Sequence, residues 1–221
     1  MLVTGLTGKT GAGKSTVASY LKEKGCFVID GDLVAREIVM PSSPALKELA
    51  EAFGKDIILE DGSLDRKALA QKAFSSADGT ALLNRITHPH IKARFEELLA
   101  KASKEGFAVA VIDAAALLES DCKDLCEKII VVHADEQIRL ERILSRDRIT
   151  YEQAMTRING QKDDNYYLRQ ADIIIFNNAD NEALFNEINK LKELTRSQKA
   201  PGQKSLQILF CFYFWYFHCL R

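Results

Sequence analysis

The chain has 221 residues, 47% of them hydrophobic and 28% charged, with a formal net charge of −1. These are ordinary globular values, enough for one sizeable domain with an insert at most and a real core. The near-zero charge gives no ground for a nucleic-acid or membrane partner of the whole body, so any basic surface is local. Cys26, Cys122, Cys126, Cys211 and Cys219 show neither a disulfide framework nor zinc-ligand spacing, and Cys122 and Cys126 read as neighbours on one helix face. No charged stretch followed by an apolar run opens the sequence, so no signal peptide is expected and the body reads as cytoplasmic.

In chain order, a short apolar stretch with Leu2, Val3 and Leu6 predicts a first strand, and residues from Ser15 onward have helical spacing. Residues 26–29, after Gly25, predict a second strand. Helical segments follow at 46–53, 66–74, 82–86 and 91–102. That is too much helix for one crossover, so 44–104 is expected to be a helical insert beside the sheet. Runs at 107–112, 128–133 and 172–176 predict three more strands, apolar throughout as strands covered on both faces should be. Helices are expected at about 136–145, 151–159 and 181–194. Strands alternating with helices give a five-stranded parallel α/β core with right-handed crossovers. Residues 195–204 read as a polar linker. The aromatic-rich apolar stretch 205–221 is shorter than the roughly 20 residues that span a bilayer. A segment without selected role, packing on a protein surface and membrane association all stay open for it, and no function is assigned.

Between the first strand and first helix lies Gly8-Lys9-Thr10-Gly11-Ala12-Gly13-Lys14-Ser15, the full G-x-x-x-x-G-K-[ST] spacing of a phosphate-binding loop. Glycines at Gly8, Gly11 and Gly13 let successive backbone N–H groups converge on phosphate oxygens, and the helix that follows presents its positive end to them. Gly8, Gly11, Ala12, Gly13, Lys14, Ser15 and Thr16 are the expected ATP contacts, with Lys14 on the outer phosphates and the Ser15 hydroxyl on Mg²⁺. Asp30-Gly31-Asp32 follows the second strand at the sheet edge where ligands sit. Asp32 reads either as the carboxylate that takes the proton of an attacking hydroxyl or as a helix cap. Asp113 ends an apolar strand, either as a Mg²⁺ ligand through water or as the start of a turn. Arg139, Arg142 and Arg146 share a helix stripe, with Arg148 beyond. The stripe suits a phosphate clamp or a solvated face paired with Glu136 and Glu141.

From Leu2 to Leu194 the sequence resembles the dephospho-coenzyme A kinases. The resemblance rests on Gly5-Leu6-Thr7-Gly8 with the phosphate loop, Ile29-Asp30-Gly31-Asp32, Ala35-Arg36, Phe53-Gly54, Asp61-Gly62-Ser63-Leu64-Asp65-Arg66 and His88-Pro89. Leu117-Leu118-Glu119, Gln137, Arg139-Leu140, Arg142, Arg146-Asp147, Gln161 and Asn177-Asn178 complete the ordered series. It implies a phosphate-loop kinase fold with a helical acceptor domain and a lid at about 142–165. It also implies ATP and Mg²⁺, dephospho-CoA as acceptor, and a monomer or small homo-oligomer. Asp32 matches the general base, Lys14, Arg142 and Arg146 the catalytic cations, and Asn178 the loop near adenine. Arg66, His88, Leu117 and Glu119, with Asp32, match the acceptor side. His88 before Pro89 is expected to close a helix and shape the acceptor pocket. Four departures stand out: Gly31 for Ala, Ala115-Ala116 for Pro-Leu, Lys9 for Gly and Ala179 for Gly. Lys9 is expected to set an extra cation beside the phosphates, and Gly31 to loosen the backbone. The rivals are a kinase for nucleoside monophosphates or another small molecule, and a nucleotide-controlled switch. The nearest approach to a guanine-selective motif, Asn189-Lys190-Leu191-Lys192, lacks its Asp.

Overall fold

The computed structural model describes residues 1–179 together with Glu182, Leu184, Phe185, Asn186 and Ile188. The helix expected at 181–194 is described only at those last positions. The stretches 195–204 and 205–221, with Cys211 and Cys219, lie outside the described residues.

Five parallel strands form one sheet: β1 (Leu2–Gly8), β2 (Phe27–Asp30), β3 (Val109–Asp113), β4 (Lys128–His133) and β5 (Ile173–Phe176), in the order β2-β3-β1-β4-β5. The central strands are apolar because helices cover both faces; Leu6 and Ile112 are fully buried. Strand starts differ slightly from expectation, each for a local reason. Phe107 stands outside β3 with its ring packed edge-on against Phe27, 5.1 Å between centroids. Asp172 stays outside β5 because its carboxylate accepts from the Ile129 N–H and pairs with Lys128.

Eight helices surround the sheet among the described residues: α1 (Lys14–Glu23), α2 (Gly31–Glu37), α3 (Pro44–Phe53), α4 (Arg66–Ala73), α5 (Ala77–Lys104), α6 (Glu136–Asp147), α7 (Tyr151–Asn159) and α8 (Asp164–Leu168). Except for α1 and α6, their starts carry a side chain that accepts from free N–H groups of the first turn. Ser43 caps α3, Asp65 caps α4, and Thr150 with Gln153 forms a reciprocal capping box on α7. The short α8 carried no periodic signal and was not expected.

One core layer joins α1 to β1, β4 and β5 through Val17, Tyr20, Leu6, Val132 and Ile175. The opposite layer packs Phe95 of α5 on Ile29, Ile112 and Leu117. Leu49 of α3, Leu69 of α4 and Ile57 form a separate cluster. Helices α6 and α7 pack together on Leu140, Ile143, Ala154 and Ile158.

The segments expected at 82–86 and 91–102 are one helix, and His88-Pro89 lies inside it. Proline interrupts helices because it lacks an N–H for the carbonyl four residues back and its ring crowds that turn. Here packing outweighs that local cost. Leu83 and Ile86 before the proline pack on the α3–α4 cluster, while Ile91, Phe95, Leu98 and Leu99 after it pack on the sheet. Pro89 itself is exposed. No described helix is long and apolar enough to cross a membrane.

Candidate active site

The site opens at the carboxyl edge of the sheet, in a cleft of about 790 Å³ bordered by the phosphate loop, Asp32, Arg142 and Arg146. Gly11 and Gly13 take φ of +78° and +93°, a region that disfavours side chains. Space excludes side chains too: a Cβ on Gly11 would stand 2.7 Å from the Arg139 carbonyl oxygen. Gly8, Gly11, Gly13, Lys14, Ser15 and Thr16 line the cleft as expected, whereas Ala12 is buried beneath it.

Carboxylates gather on one side. Asp30 and Asp113 are register partners at the ends of β2 and β3. The Asp30 side chain accepts from the N–H groups of Asp32 and Leu33, at 2.9 and 3.0 Å, and so caps α2. The capping role considered for Asp32 therefore belongs to Asp30, and the exposed Asp32 faces the cleft. The Lys14 ammonium is ion-paired with Asp113. Burial raises the Asp113 carboxyl above its ordinary pKa, and the nearby Asp30 and Asp32 push the same way against the pull of Lys14. Gly31 is not loose: a Cβ there would stand 2.7 Å from that of Ala114.

Basic groups of α6 line the other side. Arg142 donates to the Asn177 carbonyl at 3.0 Å and reaches the Gly11 carbonyl at 3.5 Å. Arg146 lies one turn on and makes a two-point pair with Asp147, at 2.7 and 3.0 Å, which also accepts from Arg157 at 2.6 Å. The arginine stripe is thus split. Arg142 and Arg146 border the cleft, while Arg139 turns into the protein and is 1% exposed. Neither a three-membered clamp nor a solvated face describes it. Arg148 takes a left-handed conformation at the end of α6.

Two residues carry more than their sequence positions suggested. Asn177 is buried, and its Nδ2 donates to the Ala12 carbonyl at 2.8 Å, fastening the phosphate loop to the end of β5 while Arg142 holds the Asn177 carbonyl. Gln161 accepts from the Thr10 N–H at 2.8 Å, fastening the same loop to the segment after α7. Asn178, named for the adenine, does not border the cleft; its Oδ1 accepts from the Asp135 N–H at the start of α6. Lys9 is no free cation beside the phosphates, because its ammonium pairs with Asp164 at 3.0 Å.

A smaller cavity of about 120 Å³ adjoins the cleft, and Asp32 and Ala115 border both. His88, Phe95, Ala116 and Cys122 are among the other residues of its wall. Of the residues expected on the acceptor side, Asp32 and His88 are brought together here. Leu117 belongs to the core under the sheet, Glu119 is exposed on the turn after it, and Arg66 is exposed at the start of α4. None of these three borders either cavity.

The family model described as dephospho-CoA kinase matches residues 2–183. A dephospho-CoA kinase of Corynebacterium glutamicum is 44% identical over 191 residues, 86% of this chain and 96% of the relative. Among solved structures, one from Thermus thermophilus superposes with a TM-score of 0.71 at 25% identity, covering 90% of this chain and 98% of that one. A dephospho-CoA kinase from Campylobacter jejuni gives 0.64 at 26% identity, covering 89% and 98%.

Proposed function

The chain belongs to the dephospho-CoA kinase family, and from that premise we propose that its cleft transfers the γ-phosphoryl group of ATP to the ribose 3′-hydroxyl of dephospho-CoA, giving coenzyme A and ADP. The observation that carries this reading is Asp32, a carboxylate that caps nothing and stands where the two cavities meet. ATP occupies the larger cavity, its phosphates in the loop, and the acceptor enters from the smaller. The 3′-hydroxyl then lies between Asp32 and the γ-phosphorus, and Asp32 accepts its proton as the new P–O bond forms and the bond to the ADP oxygen breaks.

Phosphoryl transfer depends on placement and on neutralising charge at the equatorial and leaving oxygens. Lys14 supplies one cation after exchanging Asp113 for phosphate. Arg142 and Arg146 supply two more from the lid, with Arg146 exchanging Asp147 for an equivalent two-point partner. Loop-to-lid bonds through Gln161 and Asn177 keep water out of the closed site. The donor set suits Mg²⁺: Ser15 offers a hydroxyl and Asp113 a carboxylate reached through water, with the remaining positions left to phosphate and water, as this ion prefers. Bound there, Mg²⁺ would withdraw charge from the phosphate oxygens.

Steady-state ATP turnover on the full chain, with dephospho-CoA compared against AMP, CMP and UMP, tests the reading. The expected result is a large preference in kcat/KM for dephospho-CoA. Preference for a nucleoside monophosphate would overturn the acceptor assignment, and tight nucleotide binding without any transfer would point to a switch.

A further inference from the structure

Lys9 borders the cleft and also a small interior cavity of about 10 Å³ that it shares with His133, Arg139, Asp164 and Tyr167. The Arg139 guanidinium is the unusual feature there. Its Nε donates to the Ala134 carbonyl at 3.1 Å, but Nη1 and Nη2 are buried without a hydrogen-bond partner among the described residues. The Glu136 carboxylate comes only within 3.9 Å of Nη2. Asp164 Oδ1 is ion-paired with Lys9 at 3.0 Å yet makes no hydrogen bond. Buried polar atoms are costly in that condition and nearly always find a partner, protein or water. About 10 Å³ is room for one water molecule. Two cations, Lys9 and Arg139, and two carboxylates, Asp164 and Glu136, balance in charge, so a neutral guest suits the cavity better than an ion. Tyr167, whose hydroxyl burial pushes up to about 12, is a further donor in the wall.

The neighbouring bonds give the cavity a purpose. Lys9 and Thr10 are consecutive in the phosphate loop, and they hold Asp164 and Gln161 of the segment that follows α7. Gly11, next along, lies against the backbone of Arg139 itself. We propose that the cavity is a site for one internal water hydrogen-bonded between the Arg139 guanidinium and the Asp164 carboxylate. With Lys9, these groups form one network that ties the phosphate loop to the lid. Lys9 is then a positioning residue for the loop, not a ligand of the phosphates.

The inference rests on nucleotide occupying the cleft, not on the identity of the acceptor, so the test reads ATP binding. Calorimetric titration of ATP into the full chain and its Lys9→Met, Asp164→Asn and double variants should show each single change weakening binding roughly three- to tenfold. The double variant should be no weaker than the worse single one, because both changes break the same connection. Lys9→Arg, which keeps the pair, should return affinity to within about twofold of the native chain. Loss on Lys9→Met with none on Asp164→Asn would make Lys9 a phosphate ligand and overturn the proposal, as would losses that multiply. A crystal structure of the native chain supplies a readout that no variant's folding can affect. A solvent peak within about 3.2 Å of both Arg139 and Asp164 is expected. A dry cavity, or an anomalous peak there after a bromide soak, would overturn the water site.

Discussion

Asp32 is available for chemistry because its neighbour two residues back does the structural work. Asp30 satisfies the first turn of α2, which leaves Asp32 with no bond to surrender when a hydroxyl arrives. Asp32→Asn should therefore leave the ATP dissociation constant within about twofold and lower kcat by ~10²- to 10⁴-fold; unchanged turnover would remove Asp32 as the base. Asn177→Ala is the complementary case. It strips the buried Ala12 carbonyl of its donor, at a cost of about 1–3 kcal/mol in denaturant unfolding, and weakens ATP binding through the loosened loop. The two residues also differ in how far the sequence revealed them. Gly8, Gly11, Gly13, Lys14 and Ser15 were legible because a loop that wraps phosphate needs its residue types at fixed spacing within one turn of chain. Asn177 meets a partner 165 positions away, and no local pattern encodes that meeting; its place beside Asn178 in the family series was the one available sign. The same limit explains Lys9, whose charge was visible and whose partner Asp164 was not.

At the scale of elements, the starts of α4 and α7 were read closely, since their caps, Asp65 and Thr150, stand directly before a clear helical pattern. By contrast α5, capped by Ser76, was started too late and α8, capped by Asp163, was missed, because a cap without a periodic run behind it is not legible. The division of α5 at His88-Pro89 was misread because the proline rule is local while the packing that outweighs it comes from two different cores. Pro89→Ala should restore the missing backbone donor and raise unfolding stability by roughly 1–3 kcal/mol in denaturant titrations. The apolar joint between α6 and α7 carries an ion-pair cluster at its surface, around Asp147. Hydrogen bonds from Arg146 hold the Asp147 carboxyl below the usual carboxylate range, and Arg157 adds to the effect. A depressed carboxylate stabilises the folded form fully above the ordinary pKa and loses that contribution as pH falls through the depressed one. The ion pairs should thus be complete at neutral pH and be lost only in acid, while the apolar packing of the two helices persists. Carboxyl-carbon NMR of Asp147 should give a midpoint below about 3.9 in the free protein. Bound ATP, by drawing Arg146 onto phosphate, should move that midpoint upward.

For the whole molecule, the alternation of strand and helix was legible, because period and apolar runs announce each element. The spatial order β2-β3-β1-β4-β5 was not, since it depends on which edge each crossover returns to, which handedness alone leaves open. Ligand binding draws on all of it: the cleft is lined by the loop after β1, by Asp32 of α2 after β2, by Ala115 after β3 and by α6 after β4. A hundredfold excess of MgATP over its dissociation constant should therefore stabilise the fold by about 2.7 kcal/mol, seen as a higher melting temperature, and Lys14→Ala should abolish most of that gain.

The central place of β1 has a consequence for how such a protein can change. Strands β2 and β3, with the acidic groups and the smaller cavity, lie on one flank of β1; β4 and β5, with the lid and Asn177, lie on the other. Substitutions on the first flank that touch the smaller cavity alone, such as one at Ala116, should alter acceptor affinity more than the grip on the donor. Substitutions on the second can retune the grip and leave the choice of acceptor alone. The two specificities are inherited together but separately editable, with the phosphate loop as their fixed hinge.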